Sequence, residues 1–226
     1  MVSDLGFVGT APDLEAVEFA ANPGPRCPLA LVLDVSASMG GQPIAELNEG
    51  LRVLKSELMQ DPVAPQRVEV ALVTFGDVAE VRQDFVTVMD WEPQPLSAGG
   101  LTPMGQGLNL ALDAVERRKQ SYKTNGIQYY RPWVFMITDG NPTDSWEYAS
   151  ERLKAEESRN GTTFFSVAVE GADVSLLSQI SARPPLQLRG LAFRELFSWL
   201  SASQKRVSSS RVGEQVALPP VDWTTV

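Results

Sequence analysis

Five residues could do chemistry together. Asp34, Ser36 and Ser38 close the stretch "LALVLDVSASMGG", Thr102 sits in "GGLTPMG", and Asp139 ends "WVFMITDG". Both aspartates terminate apolar runs of the kind that form buried strands. In an open α/β sheet, ligands gather at the carboxyl ends of the strands. Two carboxylates held there repel each other unless a positive charge lies between them. A divalent cation supplies that charge. With the three hydroxyls the donor set is all oxygen, which suits Mg²⁺, with Mn²⁺ as a substitute. Gly40, Gly41, Gly99 and Gly100 let the chain turn closely around such an ion. Aspartate and serine at a strand end also serve as ordinary turn and cap residues, and for "DVSAS" alone that reading stands as the alternative.

There are no histidines. Imidazole is therefore absent as base, shuttle or metal ligand, and no Ser-His-Asp or Cys-His engine can be built within this chain.

The elements that position the five residues follow from periodicity. "PLALVLDV" is a continuous apolar run, as expected of a strand buried on both faces. Ile44, Leu47, Leu51, Leu54 and Leu58 then recur at helical spacing, with Pro43 in the first turn and Asp61-Pro62 as the stop. Residues 67–77 and 79–88 read as two strands joined by a tight Gly76-Asp77 turn, hence antiparallel. A proline- and glycine-rich loop, 92–100, leads into a helix striped by Leu108, Ala111, Leu112 and Val115. After the Asp139 strand come a helix over about 145–159, the strand "TTFFSVAVE", a short helix near 174–180, an edge strand at "LQLRG" and a last helix with Leu196, Phe197 and Leu200.

This alternation predicts an α/β fold: a doubly wound, mostly parallel sheet with one antiparallel edge strand and helices on both faces. One domain is expected over 1–207, its motif-bearing core at 28–203, followed by a 208–226 tail with no clear period.

Several side chains receive structural readings. Thr102 is expected to cap the helix that follows it as well as face the ion. Asp144 and Ser145 are read as caps of the helix after the Asp139 strand. The run Glu116 to Lys119, "ERRK", reads as a solvated helix end. Trp133, Phe135 and Met136 read as core, while Trp91 and Trp146 flank the site loops as packing or as rim contacts for a partner. "GGLTPMGQG" has the glycine spacing of a phosphate loop, but Gln106 and Gly107 replace the lysine and Ser/Thr that such a loop needs.

The charge sum, 19 − 28 = −9, leaves no basic footprint for nucleic acid. The single cysteine, Cys27, excludes an internal disulfide framework, and its place at the start of the first strand sets it far from Asp34. The N-terminus lacks a basic start and an apolar core, so no signal peptide is read there. No apolar run approaches the ~20 residues of a membrane span. A cytoplasmic protein without membrane insertion is expected.

"DVSAS", the distant "GGLTPMG" and "ITDG" together resemble the metal-ion-dependent adhesion site of von Willebrand factor type A domains, written D-x-S-x-S, T, D. The likeness spans about residues 28–203. It implies that Ser36, Ser38 and, in the ligand-bound form, Thr102 contact the metal directly, with Asp34 and Asp139 acting directly or through water. It also implies a non-enzymatic protein-interaction module whose open metal position is filled by an Asp or Glu of a partner protein. "GGLTPMGQGL", "ITDGNPTD" and "FRELFSWLSASQKRV" are similar to a narrower bacterial group, the TerY-like proteins of tellurium-resistance and stress systems. That likeness implies a scaffold role near kinase-like or phosphatase-like proteins.

A rival reading is a metal-dependent phosphohydrolase with Asp34 as nucleophile. The general acid would then be expected two residues on, where Ser36 stands, and serine does not protonate a leaving group at neutral pH. Should the five residues not carry binding, the apolar tail around Trp223 is the next surface to consider.

Overall fold

A computed structural model describes residues 14–224. Its sheet has six strands in the order β3-β2-β1-β4-β5-β6: β1 (Cys27–Asp34), β2 (Val68–Phe75), β3 (Ala79–Thr87), β4 (Trp133–Thr138), β5 (Thr163–Ala168) and β6 (Leu186–Gln187). All neighbours pair in parallel except β2 with β3. The expected doubly wound α/β sheet with one antiparallel edge strand is thus the observed fold.

The unbroken apolar runs follow from covering both faces. In β1, Leu29, Leu31 and Leu33 enter one core with α2 (Gln42–Met59) and α7 (Phe193–Ser209), while Ala30 and Val32 enter the other with α4 (Met104–Thr124), α5 (Glu147–Ser158) and α6 (Val174–Ile180). Strand β4 divides in the same way: Trp133, Phe135 and Ile137 on one side, Val134 and Met136 on the other. The α2 stripe of Leu47, Leu51, Leu54 and Leu58 is wholly buried, and Gly50 lets the helix close on the ring of Phe197, where a Cβ would lie 2.2 Å from a ring carbon. Two short helices have no counterpart in the sequence reading, α1 (Leu14–Ala21) and α3 (Ala64–Arg67).

The tail folds back on this core. Trp223 is fully buried, with its ring 5.7 Å from that of Trp199. Its carbonyl accepts from the Arg189 amide (2.9 Å), and Thr224 bridges to Leu188. Trp223 is therefore core and offers no surface to a partner.

The run Glu116 to Lys119 is not a solvated end. It lies inside α4, and Arg118 and Lys119 are both buried. The Arg118 guanidinium forks onto the buried Glu69 of β2, Nε to Oε2 at 2.8 Å and an Nη to Oε1 at 2.9 Å. The Tyr122 hydroxyl also donates to Glu69. Arg26 brings Nε within 2.7 Å of Oε1, off the hydrogen-bonding direction, while its other nitrogens donate to the Gly24 and Asn22 carbonyls. Burial alone lowers the Arg118 pKa, but the hydrogen bonds and charge of Glu69 raise it on balance. A charged residue at helical spacing looks solvated in sequence. Its partner, 49 positions away in β2, keeps it inside.

Candidate functional site

The carboxyl ends of β1 and β4 lie side by side, with Leu33 opposite Ile137, so the next residues of each strand, Asp34 and Thr138, also meet. Asp34 is completely buried. Its Oδ1 accepts from the Ser36 amide at 2.8 Å and its Oδ2 from the Thr138 hydroxyl at 2.5 Å. The chain then makes a single 3-10 turn, Ala37–Met39, that stacks Ser36 and Ser38 with their hydroxyl oxygens 3.0 Å apart. Ser38 donates onward to Asp139 Oδ1 at 2.8 Å. Four of the five residues singled out in the sequence are thereby joined across two loops.

Thr102 arrives from a third loop. It is buried, and at Gly140 a Cβ would lie 3.2 Å from Thr102 Oγ1 and 3.5 Å from Asp34 Oδ2. Threonine 102 therefore stands beside Asp34 across the glycine that follows Asp139. Its backbone is clamped by Thr143, whose hydroxyl accepts from the Thr102 amide (3.1 Å) and whose amide donates to the Thr102 carbonyl (2.9 Å).

The loops are locked to one another by backbone contacts. The Gly99 amide donates to the Val35 carbonyl at 2.8 Å, and the Ala37 amide to the Gly100 carbonyl at 3.1 Å. Gly100 has φ +78°, and a Cβ there would strike Asp77 Oδ1 at 2.1 Å, so only glycine fits.

The expected capping roles are redistributed. Thr102 does not cap α4 through its side chain. Asp144 does so instead, its two carboxylate oxygens accepting from the Gly105 and Gln106 amides at 3.0 and 2.9 Å, where a carboxylate also meets the positive end of the helix dipole. Asp144 thus caps α4, not α5, and Ser145 caps neither; α5 starts after Trp146 without a side-chain cap. The close approach of Gly105 to the Ser145 carbonyl, where a Cβ would sit at 2.3 Å, brings the Asp144 loop onto the start of α4. Trp91 is core, and Trp146 packs on the α4/α5 side. Thr138 and Thr143 were missed in the sequence because neither lies in a motif position; Thr138 stands one residue before Asp139.

The electrostatics match the geometry. Burial raises the Asp34 carboxyl above its ordinary range, hydrogen bonds from Ser36 and Thr138 pull it back, and the charge of Asp139 adds to the rise. Burial likewise raises Asp139, against the hydrogen bond from Ser38. In each carboxyl the charged form is therefore disfavoured by burial, a cost that a nearby cation relieves. Among the described residues no group of three or more His, Cys, Asp or Glu forms a metal cluster, so an ion at this end would meet two carboxylates and hydroxyls. Cys27 opens β1 at the opposite edge, buried, with its thiol donating to Gln204 Oε1 at 3.0 Å; burial pushes its pKa well up, away from thiolate chemistry.

A six-stranded, mostly parallel sheet with loop-borne carboxylates and hydroxyls at its carboxyl edge defines a class of α/β binding domain. The sequence profile of the von Willebrand factor type A domain matches residues 29–195, and the chain belongs to that family. Over 163 residues it is 24% identical to the human collagen alpha-6(VI) chain, covering 71% of this chain and 7% of that one. Among solved structures it is similar to proximal thread matrix protein 1 from the mussel byssus, at TM-score 0.57 and 20% identity, with 82% of this chain and 47% of that one covered. The SpaC pilus adhesin of Lactobacillus rhamnosus GG gives TM-score 0.64 at 12% identity, with 80% and 30% covered. Plasmodium vivax TRAP, crystallised manganese-loaded, gives 0.51 at 19%, with 71% and 64% covered. The chain spans less than two thirds of each of these proteins. Among the described residues no helix is long and apolar enough to cross a membrane.

Proposed function

We propose that this domain is a metal-dependent protein-interaction module in which Asp34, Ser36, Ser38, Thr102 and Asp139 hold one divalent cation, and a partner's Asp or Glu carboxylate completes its coordination. The observation that carries the reading is the hydrogen-bonded run from Ser36 through Ser38 to Asp139 Oδ1, beside the buried Asp34. These oxygens converge from separate loops, and burial raises both carboxyls. Hard oxygen donors fit Mg²⁺, with Mn²⁺ as substitute. The mussel protein has a crystal form with a zinc-occupied MIDAS motif and TRAP is manganese-loaded, which supports a divalent ion here. When bound, the ion supplies an electrophilic centre for a carboxylate. The chain's own residues orient that centre and exclude water from its buried side.

The non-enzymatic reading is favoured over a phosphohydrolase by the surroundings of Asp34. Its two oxygens each accept one hydrogen bond, from the Ser36 amide and the Thr138 hydroxyl, which leaves lone pairs for a cation or its water, while the position two residues on, where a phosphohydrolase needs its general acid, is Ser36. A cytoplasmic scaffold in a bacterial tellurium-resistance or stress response, with kinase-like or phosphatase-like partners, is the narrower reading; it rests on the TerY-like strings and on composition.

The test is calorimetry with Mg²⁺ paired with capture of protein partners from cell extract in Mg²⁺ or chelator. Ser36→Ala and Ser38→Ala are expected to weaken both. Thr102→Ala is expected to leave Mg²⁺ affinity within about tenfold and to weaken capture much more. Capture that survives chelator, or is undiminished in Thr102→Ala, refutes the reading.

A further inference from the structure

Next to the Asp34 and Thr102 loops, a cavity of about 470 Å³ opens between the β2–β3 turn and residues 95–99. Val35, Val78 and Leu96 give it apolar walls, and Asp77, Glu80 and Arg82 bring charge to it. Glu80 is already paired with Arg82 at 3.0 Å. Asp77 is exposed, and among the described residues its carboxylate has no hydrogen bond or ion pair. With Glu80 and Arg82 paired to each other, Asp77 is the uncompensated charge of a mixed hollow, in which Thr74 and Ser97 stand beside the apolar Val35, Val78, Pro95 and Leu96.

The position of that charge is set by the site. Asp77 lies against the backbone of Gly99 and Gly100: a Cβ on Gly99 would be 3.7 Å from Oδ2, and one on Gly100 2.1 Å from Oδ1. The same two glycines bond to Val35 and Ala37, the residues on either side of Ser36. The Asp77 carboxylate is therefore held in register with the loop carrying Ser36 and Ser38. Val78, 62% exposed, stands at the mouth.

We infer that this cavity is a subsite for a lysine or arginine of the same partner segment that presents its carboxylate to the metal. The inference rests on the proposed metal reading and names the partner's chemistry: an acidic residue with a cationic one a few positions away. A long cationic side chain is amphipathic. Its methylene stem lies along apolar wall while its head reaches the charge at the rim. The surplus of acidic residues, −9 over the chain, favours the approach of a cation over a second anion. Asp77 is exposed, so its gain is that of a surface pair, up to about fivefold in affinity, and stem burial against Val78 and Leu96 carries the total to about tenfold at most.

The test is a phage-displayed library of linear peptides with one fixed Asp between randomised positions, panned on the whole chain in Mg²⁺ and eluted with chelator. Lys or Arg is expected to be enriched at a fixed spacing from the Asp. In the resynthesised peptide, replacing the cation by norleucine is expected to weaken binding three- to tenfold, less at high salt. Asp77→Asn is expected to abolish that difference while Mg²⁺ calorimetry is unchanged. Mg²⁺-dependent Asp peptides without the cation overturn the subsite and leave the metal reading standing, as does a norleucine penalty that persists in Asp77→Asn. Failure to enrich any peptide while calorimetry shows Mg²⁺ bound also overturns it. Absence of Mg²⁺ binding by calorimetry refutes the metal reading instead.

Discussion

Replacing Asp139 by Asn separates a metal site from a structural turn. Asparagine keeps an oxygen that can accept from the Ser38 hydroxyl, now at 2.8 Å from Asp139 Oδ1, but removes the charge that faces Asp34. In the metal-free wild type both carboxyls have folded pKa values raised by burial, Asp34 also by the charge of Asp139. A raised carboxyl favours the folded state fully below its unfolded pKa, and that contribution is lost as pH rises through the folded value. Metal-free wild type therefore carries an electrostatic penalty at pH 7, of which Asp139→Asn keeps the burial of Asp34 and removes the burial of a charged Asp139 and its repulsion of Asp34. The variant is expected to melt at the same temperature or higher at pH 7, and the difference is expected to shrink as pH falls through the raised carboxyl range. Added Mg²⁺ reverses the order: at about a hundred times Kd it stabilises the wild type by about 2.7 kcal/mol, or about 5–11 °C for a chain of this size, and the variant by far less. That Mg²⁺ increment is itself expected to fade on acidification, since protons compete for the same oxygens. Differential scanning calorimetry of both proteins, with Mg²⁺ and with chelator, from pH 4 to 8 measures all four corners. Metal-free Asp139→Asn destabilised by more than about 1 kcal/mol, with the Mg²⁺ increment retained, would refute the reasoning and make Asp139 a structural cap.

Three further outcomes follow from the packing. Glu69→Gln removes the charge that the buried Arg118 and Arg26 share and is expected to cost about 3–5 kcal/mol; a urea midpoint within error of wild type would show the cluster to be inert. Trp223→Ala is expected to cost about 3–5 kcal/mol, since the ring is wholly buried against Trp199; a loss below 1 kcal/mol would mean the tail is not docked in solution. Asp144→Ala leaves the Gly105 and Gln106 amides at the start of α4 without their acceptor and is expected to cost about 0.5–2 kcal/mol by thermal melt, with unchanged stability arguing that water replaces the cap.

Much of the fold was legible in sequence because its signals are local. An apolar run of seven residues in β1, Cys27 to Leu33, needs cover on both faces, and the 3-4 stripe of Leu47, Leu51, Leu54 and Leu58 needs one buried side; each pattern implies its element whatever the rest of the chain does. The short link around the Gly76-Asp77 turn, three residues between Phe75 and Ala79, dictated the antiparallel pairing of β2 and β3. The placing of Asp34 and Asp139 at strand ends was legible for the same reason.

Pairings between distant segments were not. Asp144 and Ser145 precede α5 in sequence and looked like its caps, yet Asp144 reaches back 39 residues to α4 because β1, β4 and the Thr102 loop bring those helix starts together. Arg118 looked solvated because a sequence shows spacing and not the partner, and Glu69 lies in a strand whose depth only the sheet order defines. Trp223 follows a stretch without period, so nothing local announced that it would be buried on Trp199. The sequence determined which residues sit at the sheet's carboxyl edge, through strand length and alternation. Only the tertiary structure decided which oxygens share protons there, since the run from Ser36 through Ser38 to Asp139 joins residues about a hundred positions apart and depends on the register that sets β1 against β4.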